Sequence, residues 1–257
     1  MEGRDVSMEY GAVVLAGSPN KALAEKSPEA WEALIDINGR PMISYVLDGL
    51  HEARHVGTIV VVGPAVLEPE VSRVGGQLVP SGDGLVENLS RGVKALPGDA
   101  RVLVVTSDIP LVSGGMIDEF LGRCCEREGQ FFYSVVPRPA IEARFPSARR
   151  TYVRLKEGGV TGGNIVVIDP SILEDFRAVA ERLAQDRKKP VALARLLGWR
   201  FLLGLLLGRL DIPSLEKRVS QVFHITARAV VCWDPEIGMD VDKPSDLEVA
   251  MGALRSR

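Results

Sequence analysis

Short apolar runs and segments of helical period alternate along nearly the whole chain. The first run, residues 11–16 (GAVVLA), is closed by Gly17, as expected of a parallel strand buried on both faces. Residues 41–54 change period: Pro41 suits a first helical turn, and Ile43, Val46, Leu47 and Leu50 fall on one helical face. A second buried-type strand is predicted over 58–62. Residues 84–96 predict a helix, with Asp83 as N-cap and Pro97-Gly98 as its stop. A third strand follows over 102–106, then a turn at 107–110 and a helix over about 113–128. Further strands are expected over 131–136, 152–155, 165–168 and 230–232.

This alternation predicts an α/β fold, a largely parallel sheet with helices on both faces. With no linker, repeat or low-complexity tract, residues 1–257 read as one domain with an apolar helical insertion at about 190–221. The Pro- and Arg-rich stretch 137–150 reads as an excursion or flap rather than a boundary.

A net charge of −3 removes the general electrostatic case for a nucleic-acid partner. The 3 cysteines make no disulfide framework, and residues 1–10 carry no apolar signal run, so a reduced, cytoplasmic location is expected. Mean hydropathy is slightly apolar at +0.10, and a conspicuous share of that surplus sits in 191–210 (VALARLLGWRFLLGLLLGRL). As one helix this segment would be about 30 Å long, enough for a bilayer core. Arg195 and Arg200 oppose a span, each costing about 2.5–3.5 kcal/mol near a helix centre, while Gly204 and Gly208 allow close helix approach. The expectation is a helix buried in the protein or in a homodimer; a peripheral membrane contact or a pocket for a lipid-like acceptor is the alternative.

In open α/β sheets ligands gather beyond the carboxyl ends of the strands, and four stretches lie there. The long loop after the first strand offers backbone amides at Gly17 and Ser18 and the charges of Lys21 and Lys26; it reads as a phosphate cradle or as a mobile solvated loop. Asp108 follows the third strand as a Mg²⁺ ligand or a turn residue. Asp240 and Asp242 share one side of an extended segment whose Val241 packs inward, a pairing that a metal would explain if Asp108 is near. Thr161-Gly162-Gly163-Asn164 permits close backbone approach, or is a simple Gly-Gly turn before a strand.

Together, AVVLAG (12–17), INGRPMISYVLDGL (37–50), SDIPLV (107–112), TGGN (161–164) and VDKPSDLE (241–248) resemble the nucleotidyltransferase superfamily typified by molybdenum-cofactor guanylyltransferase and sugar-phosphate cytidylyltransferases. The resemblance spans almost the full chain and implies a three-layer α/β/α fold of the glycosyltransferase-A type. It implies Mg²⁺-dependent joining of an NTP to a small phosphorylated acceptor, with release of pyrophosphate. Leu15, Ala16, Gly17, Ser18, Asn88 and Asp108 then fall on the nucleotide site, Gly163 and Asn164 near the acceptor, and Asp108, Asp240 and Asp242 on the metal. The chain departs from the pattern where the family has a loop lysine: Glu32 stands there, leaving Lys21 or Lys26, with Asp108, as the candidate catalytic groups. Two alternatives follow: a nucleotide-binding protein with lost or altered catalysis, and a nucleotide-sugar glycosyltransferase, whose Asp-X-Asp pair would fall mid-chain rather than at 240–242.

Overall fold

The computed structural model describes residues 9–98, 100–173, 177 and 198–256. At its centre β1 (Tyr10–Leu15) lies between two parallel partners, β4 (Val56–Gly63) and β6 (Val102–Thr106), and β5 (Gln77–Pro80) extends the sheet beyond β4. On the other side of β6 runs β9 (Gly158–Ile168), antiparallel to β6 and to β7 (Phe131–Pro137). The strand β10 (Ala227–Val231) pairs parallel with β7, and β8 (Val153–Leu155) forms a hairpin with the start of β9. The order is β10-β7-β9-β6-β1-β4-β5. A small hairpin, β2 (Asp36–Ile37) and β3 (Arg40–Pro41), leads into the first helix.

Side chains alternate across the sheet, so each central strand supplies two cores. Ala12, Val14, Val61, Leu103, Val105, Ile165 and Val167 face α1 (Met42–Glu52), α4 (Gly114–Cys125) and α8 (Pro244–Arg255). On the opposite face, Val13, Val60, Val62, Val102, Val104 and Ile168 pack against α3 (Leu85–Ala95) and α7 (Ile212–Phe223). Three shorter helices, α2 (Glu68–Arg73), α5 (Arg138–Arg144) and α6 (Trp199–Leu206), complete the described part. The predicted three-layer α/β/α arrangement with a mostly parallel sheet is therefore present.

Three local expectations are corrected. Gly84, at φ 98°, is the N-cap of α3 in place of Asp83, because an L side chain is strained at that angle. The Glu87 carboxylate instead reaches back to accept the Asp83 N–H at 2.9 Å. The helix expected to about 128 ends at Cys125. Residues 161–164 do not form a turn before a strand; they lie inside the eleven-residue β9.

Of the apolar segment 191–210, residues 191–197 lie outside the described residues. The helix α6 stops at Leu206, where Gly208 takes the left-handed conformation (φ 62°). Its N–H bonds the Leu205 carbonyl and the Arg209 N–H that of Gly204, a Schellman ending. No helix among the described residues is long and apolar enough to cross a membrane.

Candidate active site

The acidic residues meet through one backbone hydrogen bond. Asp108 lies just past β6, where Thr106 Oγ1 donates to its Oδ1 at 2.5 Å. Its carbonyl accepts the Val241 N–H at 2.9 Å, which lays the segment 240–242 along the end of β6. Val241 is buried, so Asp240 and Asp242 both fall on the other side. One carboxylate oxygen from each of Asp108, Asp240 and Asp242 lies within 4.8 Å of the others.

The cluster is electrostatically loaded. Burial, then the charge of Asp240, pushes the Asp108 carboxyl up, against the Thr106 hydrogen bond and the Arg150 charge. Asp242 is pushed up to about 7, first by burial, then by its hydrogen bond and charge interaction with Asp240, with Asp108 and Glu32 adding. Glu32 itself is raised by burial and by Asp108, so it faces the same cluster. Three hard oxygen donors that repel one another suit a divalent cation such as Mg²⁺.

Among the described residues a counter-charge comes from Arg150, whose side chain is only 8% exposed. Its Nη1 donates to Asp240 Oδ1 at 2.8 Å, its Nη2 to the Asp240 carbonyl at 2.5 Å, and Nη1 is 3.8 Å from Asp246. The Pro- and Arg-rich excursion thus returns to the site. Nothing in the local pattern around Arg150 signals this, since the contact spans 90 residues.

At the end of β1, Gly17 packs against Ser81 and Asn88: a Cβ there would lie 3.0 Å from Ser81 Cβ and 3.4 Å from Asn88 Nδ2. Asn88 Oδ1 accepts the Gly82 N–H at 2.7 Å. The loop beyond Gly17 is cross-braced. The Glu32 N–H bonds the Ser18 carbonyl (3.1 Å), and the Asn20 amide donates to the Ser27 and Glu29 carbonyls while accepting the Leu23 N–H. Lys21 and Lys26 stand exposed on it and form no ion pair with another described residue.

Beyond β6, β9 bulges. Tyr133 pairs with Val166 and Val135 with Gly162, so β9 spends two more residues than β7 in this interval. Ser134 Oγ donates to the freed Ile165 carbonyl at 2.7 Å, and Asn164 Nδ2 to the Ile237 carbonyl at 3.3 Å. Gly163 is required there, because a Cβ would lie 2.2 Å from Ser134 Oγ. Leu15, Thr106, Tyr133, Gly163 and Asn164 line one cavity of about 260 Å³, joining the nucleotide and acceptor candidates. The sequence pattern does not single out Tyr133, Ser81 or Thr106: Ser81 and Thr106 emerge where the ends of β5 and β6 align, and Tyr133 where β7 pairs with β9.

A family model described as the MobA-like NTP transferase domain matches residues 12–197. A hypothetical transferase from Thermus thermophilus is 40% identical, with 93% of this chain and 100% of that one covered and a TM-score of 0.83. CMP:2-keto-3-deoxy-manno-octonic acid synthetase, solved with CTP, is similar in fold at 15% identity and TM-score 0.63, covering 97% and 99%. Molybdopterin-guanine dinucleotide biosynthesis protein A from Archaeoglobus fulgidus is similar in fold at 10% identity and TM-score 0.54, covering 96% and 100%. No curated protein matches the sequence. With the ordered motifs and the sheet around them, the family match places the protein among nucleotidyltransferases: the chain belongs to the MobA-like NTP transferase family.

Proposed function

We propose that the protein transfers a nucleotidyl group from an NTP to a small phosphorylated acceptor, releasing pyrophosphate, with Mg²⁺ held by Asp108, Asp240 and Asp242. The observation that carries this reading is the convergence of the three carboxylates at the end of β6. When bound, Mg²⁺ would neutralise phosphate charge on the nucleotide. The acceptor phosphate oxygen attacks the α-phosphorus, the new P–O bond forms as the bond from the α-phosphorus to the bridging oxygen breaks, and pyrophosphate leaves with that oxygen. No side-chain nucleophile is needed; positioning and charge stabilisation supply the rate. Backbone amides at Gly17 and Ser18 bind the phosphates, Asn88 steadies the loop facing Gly17, and Asn164 orients the acceptor. Lys21 and Lys26 are the loop cations available to the phosphates.

A second reading, nucleotide binding without turnover, is favoured by one feature: Glu32 faces Asp108 where the family carries a lysine. A pyrophosphate-release assay over the four NTPs with Mg²⁺ and a panel of phosphorylated acceptors separates the two. Release that needs both an NTP and an acceptor supports transfer; nucleotide binding with no release under any pairing supports the second reading.

A further inference from the structure

A second cavity, of about 330 Å³, lies on the β7–β10 part of the sheet beneath α6 and α7. Val135, Val153, Val160, Leu205, Leu215 and Val219 supply its apolar walls. Glu216, which also borders it, is already engaged: it accepts from Nη1 and Nη2 of Arg127 at 2.8 Å each and from the Ala229 N–H at 2.9 Å. Arg228 donates to the Glu128 carbonyl at 2.9 Å. The charged groups on the rim are thus committed elsewhere, and the space suits hydrocarbon.

The cavity shares Phe131 and Tyr133 as wall residues with the cavity of the proposed acceptor site. Tyr133 and Gly162 line it, and Tyr133 also lines the cavity that holds Gly163 and Asn164. Tyr133 lies near enough to Asp240 for that charge, after burial, to raise its phenol. Tyr133 thus stands between the apolar slot and the acid cluster, where an acceptor with its phosphate at the cluster would have to pass. We infer that the acceptor is an amphiphilic phosphate, its hydrocarbon portion held in the slot under α6 and α7 while its phosphate reaches the acid cluster. This rests on the nucleotidyl-transfer reading and names the acceptor class for it.

Calorimetric titration of the full-length protein with methyl phosphate and with dodecyl phosphate, kept below its micellar concentration, tests the inference. Burial of the alkyl methylenes favours binding, so dodecyl phosphate should bind tighter by about tenfold or more. Val153→Asp puts a charge on the slot at a position 38% exposed, and Ala229→Leu fills it from β10. Each should reduce the dodecyl preference at least severalfold and leave Mg²⁺-dependent NTP binding unchanged, which also reports that the variants are folded. Equal binding of the two phosphates, or full preference retained in both variants, overturns the inference. A dodecyl preference in a protein that binds no NTP overturns the nucleotidyl reading and with it the acceptor role, so the two failures are distinct.

Discussion

Three carboxylates gathered at a strand end are costly unless something positive joins them, and Asp108 and Asp242 show that cost as raised affinity for protons. Asp242 loses its proton at about 7 in the native ion-free protein, and at about 3.9 in an unfolded chain. Between those values the unfolded state ionises first, so this group makes ion-free stability fall as pH rises through the window. Thermal melts in a chelator should show this decline, and saturating Mg²⁺ should remove it. Asp108→Asn should lower Mg²⁺-dependent transfer by on the order of 100-fold or more, measured as pyrophosphate release, because charge stabilisation is lost where phosphate charge gathers. Asp108 and the 240–242 pair were legible because they follow apolar strands or alternate about a buried valine. Arg150 was not, since a salt bridge between distant segments leaves no local pattern.

The strands announced themselves through unbroken apolar runs, and the helices through their period; both survive because two-sided burial demands them. A bulge leaves no such signature. Thr161-Gly162-Gly163-Asn164 reads as a turn, yet Gly163 keeps β9 in the sheet by letting Ser134 Oγ approach the Ile165 carbonyl. Gly163→Ala should lower stability by about 1–3 kcal/mol through overpacking, seen in denaturant melts, and raise the acceptor KM while NTP affinity is kept. On the other face, Gly92 lets α3 settle onto the sheet, since a Cβ would lie 2.4 Å from Val13 Cγ1. Gly92→Val should cost stability by a similar amount, about 1–3 kcal/mol, with no specific effect on the acceptor.

For the whole molecule, the slight apolar surplus is located in part on α6 and the turn after it. Trp199, Leu203, Leu206 and Leu207 are exposed, Leu206 at 84%, while Leu205 lines the slot beneath. Leu206→Lys should change unfolding free energy by no more than about 0.5 kcal/mol in denaturant melts. A net charge of −3 fits phosphate binding through a metal and backbone amides rather than a basic surface. Transfer in this form requires the acid cluster to hold a divalent cation against a nucleotide. Electron paramagnetic resonance of Mn²⁺ titrated into the protein, with and without NTP, tests it most directly. One Mn²⁺ should bind per chain, tighter with NTP, and Asp108→Asn should abolish that site; Mn²⁺ binding unchanged in the variant would show that the acid cluster is not the cation site.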